Sequence, residues 1–153
     1  MSIWLLPHPA GFEPRTLTVS EYDMQLMRRD VESHKPEEAC GMLIGRINGF
    51  DAITIHTIPV TNTLHSPTRF RMDGREQVDV FNQMENEDLD LVGIYHSHPQ
   101  GPPGPSEIDV REAYYPNVVH LIWSRTGGIW NCAGYSINGG QVLMAVLKFN
   151  THG

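Results

Sequence analysis

Cysteine is scarce in this chain of 153 residues: there are two, Cys40 and Cys132. Two cysteines exclude a disulfide framework and the paired spacings of a cysteine zinc site, and they fit a reducing compartment. Both read as small buried core residues. Positive charge is also short, with 11 Lys and Arg against 18 Asp and Glu, a formal charge of −7. Without a basic stripe to meet phosphates, nucleic acid is excluded as a partner. No run approaches the ~18 apolar residues of a membrane span. The opening Met-Ser-Ile-Trp-Leu-Leu-Pro lacks a basic n-region and a long apolar h-region, so no signal peptide is expected and the cytoplasm is the expected location. Internal repeats are missing too. Oligomeric state leaves no trace in the sequence.

What is present suits one α/β domain with a single core, a mixed sheet and about three helices. Residues 1–16 read as a loosely packed lead-in and 17–149 as the domain. Leu17-Thr18-Val19 is a short strand. Ser20 is an N-cap for a helix to about Ser33, with Met24, Met27 and Val31 at helical spacing. Cys40 to Ile44 reads as a buried strand closed by Gly45, and Ala52 to Val60 as a second strand. After a loop over 61–74, a helix is expected from about Arg75 to Glu87 with Val78, Phe81 and Met84 inward. Leu89 to Tyr95 is a strand running into His96-Ser97-His98-Pro99. Gly101 to Pro105 is a loop and Ser106 starts a short helix. Val118–Trp123, Trp130–Ile137 and Gln141–Phe149 are three more strands, with hairpin turns at Gly127-Gly128 and Asn138-Gly139-Gly140.

His96 and His98 are two apart at a strand end, so both imidazoles lie on one face and Ser97 on the other. Alone, a His-x-His pair is more often two ordinary histidines than a metal site. Ser106-Glu107-Ile108-Asp109 alone reads as a capping box. The two readings are compatible, because a helix start beside the histidines brings a carboxylate and a hydroxyl to the same place. Two imidazoles and one carboxylate meet the three-ligand count of a hydrolytic zinc, whereas calcium and magnesium prefer oxygen-rich shells. Residue chemistry does not choose a general base among Glu32, Glu37, Glu38 and Glu112. The remaining histidines, His8, His34, His56, His65, His120 and His152, lack ligand partners at useful spacing and read as surface or core residues.

His96-x-His98, seven residues, Ser106, two residues, Asp109, preceded by Glu38-Ala39-Cys40-Gly41, resembles the signature of the JAMM (MPN-plus) zinc metalloproteases. Pro36 to Gly41, Ile58 to Asn62, Ser66-Pro67-Thr68 and Ile94 to His98 resemble a bacterial subgroup of that family. The resemblance covers roughly residues 17–147. It implies a cytidine-deaminase-like fold around one zinc held by His96, His98 and Asp109. It further implies Glu38 as general acid and base and Ser106 as the donor to the oxyanion. Glu37, adjacent in sequence, is expected to help Glu38 hold its proton. In that subgroup the substrate is the C-terminal tail of a ubiquitin-like sulfur carrier protein. Relatives contact substrate through the loop that here carries His65, Arg69 and Arg71, which makes these three substrate-binding candidates.

The short Pro/Gly-rich stretch between His98 and Ser106 has none of the insertions that grip ubiquitin chains in eukaryotic relatives. A small leaving group is therefore expected, with a glycine-ending tail added along an exposed strand edge beside the zinc. The competing readings are a non-catalytic MPN-type interaction module and a deubiquitinase-like isopeptidase releasing protein-linked modifiers. A zinc deaminase is excluded by the missing His-x-Glu and Pro-Cys-x-x-Cys motifs.

Overall fold

A computed structural model of the chain describes residues 14–115 and 117–151. All of the lead-in except Pro14 to Thr16, together with His8 and His152, lies outside the described residues. The described elements run β1 (Thr16–Ser20), α1 (Glu21–His34), β2 (Cys40–Asn48), β3 (Asp51–Val60), α2 (Gly74–Glu87), β4 (Asp90–His98), α3 (Glu107–Arg111), β5 (Val119–Thr126), β6 (Ile129–Asn138), β7 (Gln141–Met144) and β8 (Val146–Asn150). The strands form one mixed sheet in the order β7-β6-β5-β4-β2-β3-β1-β8. Pairing is parallel at β1–β3, β1–β8 and β4–β5, and antiparallel elsewhere. The expected α/β domain with a mixed sheet and about three helices is what the described residues form.

Helix α1 starts at a capping box. Ser20 Oγ accepts from the Asp23 N–H, and Asp23 Oδ2 accepts from the Ser20 N–H. Met27 and Val31 face the sheet and pack with Leu17, Val19, Leu43, Tyr95 and Trp123. Two buried polar tips tie the helix down: Tyr95 Oη donates to Asp30 at 2.6 Å and Trp130 Nε1 to Glu32 at 2.6 Å. Helix α2 covers the opposite face, over Met42, Ile44, Val60, Leu91 and Ile94.

Three expectations need correction. The inward residue of α2 is Val80, with Met84 partly buried beside it, while Val78 is 56% exposed and Phe81 37%. Apolar spacing of three fits either side of a short helix, and contact with the sheet selects the Val80 face. Gly45 does not close β2. The strand runs on to Asn48 through a register shift between Ile44 and Gly45. A Cβ at Gly45 would overlap the Ile53 carbonyl, so the glycine lets the strands approach rather than stopping one. Finally, 141–149 is two strands. β7 pairs with β6, and after the single residue Ala145 the chain pairs with β1 as β8. Those partners lie at opposite ends of the sheet order, so the sheet curls until its edges meet. The Ala145 N–H donates to the Gly134 carbonyl and the Val146 N–H to the Arg15 carbonyl, both at 2.9 Å.

The site lies on the α2 face. A register shift between Leu43 and Ile44, opposite Leu91 and Gly93, resets the alternation of β4. From there Ile94, His96 and His98 share one face and Tyr95 and Ser97 the other. His120 on β5 stands opposite Ile94, and Ile122 opposite His96.

Candidate active site

Strand β4 delivers His96 and His98, which are 2% and 5% exposed. Their Nε2 atoms are 3.1 Å apart, and each is 3.1 Å from Asp109 Oδ2. The backbone orders this triangle from two sides. His98 Nδ1 donates to the Pro102 carbonyl at 2.8 Å, which leaves its Nε2 with a lone pair when the ring is neutral. Asp109 is held by the expected capping box of α3: its N–H donates to Ser106 Oγ at 3.0 Å, and its Oδ2 accepts from the Ser106 N–H at 2.8 Å. The Ser106 hydroxyl hydrogen is not used in that box. Phe70 stacks on His96, with ring centroids 4.6 Å apart.

Glu38 sits just before β2 and is 3% exposed. A Glu38 oxygen and the two imidazoles lie within 4.8 Å of one another, and Oε1 has no partner among the described residues. Its position is fixed through its backbone. The Glu38 N–H donates to the Ser66 carbonyl at 2.8 Å, and its carbonyl accepts from Asn62 Nδ2 at 3.0 Å. The next residue is locked by Ser97, whose Oγ accepts from the Ala39 N–H at 2.8 Å and whose N–H donates to the Ala39 carbonyl at 3.1 Å. Gly41 completes the segment, since a Cβ there would overlap the Tyr95 ring. The residue between the two histidines therefore positions the glutamate.

Electrostatics follow from burial. Burial pushes the Glu38 carboxyl up to about 8, and the nearby Asp109 charge adds to this while His98 opposes it. Glu37 is not among the causes. It is a partly exposed residue 3.3 Å from His65, so the expected help from sequence adjacency gives way to burial. Burial holds His96 below the ordinary histidine range. His98 is raised: its own burial acts downward, and the hydrogen bonds to Asp109 and Pro102 outweigh it. Asp109 lies far below the carboxylate range, because its bonds to both histidines overcome burial. His120, 8% exposed, is lowered to about 4 by burial first and the His96 charge second.

The residues Glu38, His96, His98, Ser106 and Asp109, more than 70 positions apart at their extremes, thus share one place. Of the candidates His65, Arg69 and Arg71, the two arginines border the cavity at this place and His65 does not line it. His65 is exposed, in a left-handed conformation with φ 47°. Arg69 donates to Glu112 at 3.0 Å, joining the 61–73 loop to the end of α3. Arg69 and Arg71 line a cavity of about 250 Å³ with Phe70, Ile94, His96 and His120. The expected free strand edge is not at the histidines, because β4 is paired on both sides by β2 and β5. The backbone bordering the cleft is instead the stretch 69–72, held on one side by Asn62, which bonds Arg69 and Arg71. Sequence reasoning missed Asn62, Ser97, Phe70 and His120. Of these Asn62 and Ser97 carried a signal, through their places in resembling segments.

His96 Nε2, His98 Nε2 and Asp109 Oδ2, facing one another at 3.1 Å, need a proton or a metal cation between them to offset the repulsion of their lone pairs. Ligand atoms bonded at ~2.0–2.1 Å to a tetrahedral zinc stand roughly 3.3 Å apart. The edge lengths and the two-nitrogen, one-oxygen donor set both fit that ion.

The chain also matches known proteins over much of its length. Residues 20–133 match the family described as prokaryotic homologs of the JAB domain. The chain is 43% identical over 89 residues to the CysO-cysteine peptidase of Mycobacterium tuberculosis, covering 58% of this chain and 60% of that protein. It is 35% identical over 101 residues to the desampylase of Haloferax volcanii (65% and 71% covered) and 32% over 118 residues to that of Pyrococcus furiosus (77% and 81%). A solution structure of a protein from Desulfitobacterium hafniense superposes with a TM-score of 0.81 at 31% identity, covering 89% of this chain and 94% of that one. The chain belongs to the prokaryotic JAB-domain family.

Proposed function

We propose that this chain is a zinc-dependent peptidase that hydrolyses the bond after the C-terminal glycine of a ubiquitin-like or sulfur carrier protein. The observation that carries the proposal is the triangle of His96 Nε2, His98 Nε2 and Asp109 Oδ2 beside the buried carboxyl of Glu38. His96, His98 and Asp109 would hold the zinc. Bound there, zinc supplies Lewis acidity, lowering the pKa of a water toward neutrality and polarising the substrate carbonyl.

The chain's own residues do the rest. Glu38 takes the proton of the attacking water as the new C–O bond forms, then delivers it to the leaving nitrogen as the C–N bond breaks. A carboxyl with its proton affinity raised to about 8 can hold that proton at neutral pH. With a divalent cation held beside it, the Glu38 carboxyl would release that proton at lower pH, nearer the range a base needs. Ser106 Oγ, already oriented by accepting from Asp109, donates its free hydrogen to the developing oxyanion. The cleft beside 69–72 would take the extended tail, because glycine brings no side chain to clash with its walls.

The substrate class rests on the relatives, whose names point to a carrier–cysteine adduct in one case and to protein modifiers in the others. Only residues 99–105 separate β4 from Ser106, which favours a small leaving group over a second large protein. The test is mass spectrometry of the zinc-loaded chain with a carrier protein extended by cysteine, by a pentapeptide and by a lysine-linked protein. Cysteine and peptide release is expected. Cutting of only the lysine-linked form overturns the leaving-group reading. Equal cutting of unrelated unfolded peptides overturns the carrier reading.

A further inference from the structure

The two histidines of the triangle differ in one respect. His98 has both ring nitrogens engaged, Nε2 in the triangle and Nδ1 on the Pro102 carbonyl. His96 presents Nε2 to the triangle, but its Nδ1 is buried without a protein partner among the described residues. A neutral imidazole bonded to metal through Nε2 carries its proton on Nδ1. Such histidines almost always donate that proton to an acceptor, which fixes the ring and raises its basicity.

Another buried nitrogen without a partner stands close by on the same face. His120 Nε2 is buried and has no partner among the described residues, and the residue is more than nine-tenths buried. His120 is in register with Ile94, two positions before His96 on β4, so the two imidazoles are diagonal neighbours across adjacent strands. With parallel strands ~4.8 Å apart and a rise of ~3.3 Å per residue, such a diagonal pair has Cα atoms roughly 8 Å apart, within reach of side chains this long. Both residues line the same cavity of about 250 Å³, a volume larger than one water needs. With its own proton on Nδ1, His120 offers an acceptor at Nε2.

We propose that His120 is a positioning residue for His96, accepting the His96 Nδ1–H through one buried water and so completing for His96 what the Pro102 carbonyl does for His98. The inference rests on reading His96 as a metal ligand.

The test measures zinc affinity by chelator competition, and thermal midpoint after metal removal, for the full chain and for His120→Phe, His120→Leu and His120→Gln. Phe and Leu bracket the imidazole in size, so a packing failure in one does not decide the result. Loss of the acceptor is expected to weaken zinc binding about 10–100-fold in both, typical of removing such a partner. The metal-free midpoint should hold, because without metal the His96 proton can sit on Nε2 facing Asp109 and needs no acceptor at His120. His120→Gln, which restores an acceptor at similar reach, should recover most of the affinity. Wild-type affinity in both apolar variants overturns the inference, and so does a lowered metal-free midpoint at unchanged affinity, which marks a purely structural role. A raised KM with unchanged zinc affinity overturns it in favour of substrate contact. Absence of zinc binding by the wild-type chain overturns the metal reading and this inference with it.

Discussion

Ser106 and Asp109 hold each other at the start of α3 through a reciprocal pair of hydrogen bonds, and the Asp109 oxygen in that pair is the one both histidines face. A local capping device and the candidate metal corner therefore share a single atom. The sequence reading of Ser106 as a cap and its reading as an oxyanion donor use different parts of the same hydroxyl, the lone pair for the first and the hydrogen for the second.

Substituting Ser106 should consequently move two measurements. Loss of the cap costs about 0.5–2 kcal/mol of stability. Loss of the oxyanion donor lowers kcat by about 10²–10³-fold. Thermal unfolding and turnover of Ser106→Ala at saturating zinc read both. Unchanged turnover with lowered stability leaves only the cap.

Removing the imidazoles should remove the metal. Elemental analysis of protein purified without chelator is expected to give one zinc per chain in the wild type and almost none in a combined His96→Ala and His98→Ala variant. Chelation should also lower the wild-type thermal midpoint, because a ligand that binds only the folded state stabilises it. Zinc content indifferent to both substitutions rejects the ligand assignment.

Glu38→Gln should keep zinc and lose about 10²–10⁴-fold in turnover. It should also change the pH dependence of the metal-free chain. The folded-state pKa of Glu38 is raised to about 8 from 4.5. The folded state then holds the proton more tightly than the unfolded one. Its contribution is full below about pH 4.5 and is lost as pH rises through about 8. Wild-type metal-free protein should therefore lose a few kcal/mol relative to Glu38→Gln between pH 5 and 8. Parallel stability curves for the two proteins contradict the buried carboxyl.

His120 should produce a slope of the opposite sign on the acid side. Its folded pKa is lowered to about 4. The unfolded state takes up the proton first, so stability is lost as pH falls from the ordinary histidine range toward 4. Denaturant unfolding of metal-free His120→Gln should show a shallower decline over that window than wild type.

Asn62 should matter for activity without touching the triangle. Its side chain bonds the Glu38 and Arg69 carbonyls and the Leu64 and Arg71 N–H groups. Asn62→Ala leaves those groups unpaired, at about 2 kcal/mol or more. It should loosen Glu38 and the cleft wall together, giving lower kcat and higher KM with zinc retained. Zinc loss equal to that of the histidine variants contradicts this separation.

The strands and helices were legible where a local rule decides them. Ser20 and Ser106 begin helices because a hydroxyl caps the free N–H groups in either case, and the glycine pairs at 127–128 and 139–140 turn hairpins because only glycine takes both positive φ angles easily. Val78 and Phe81 were misread because helical spacing tells which residues share a face, not which face meets the sheet.

The sequence by itself determined the chemistry available and much of its spacing: two same-face imidazoles from alternation along one strand, and a carboxylate three residues after a capping serine. Those are short-range facts, fixed by backbone period and hydrogen bonding within a few residues. Only the tertiary structure decided what long-range pairing decides. The Ala145 break sends one apparent strand to both edges of the sheet, because closing a curled sheet is a property of all eight strands together. Ser97 and Asn62 reach across 58 and 24 residues to set Glu38 beside the histidines, and strand register sets His120 beside His96. The glutamate's raised proton affinity arises there too, since burial is conferred by the neighbours that folding brings and not by the residue next to it in the chain.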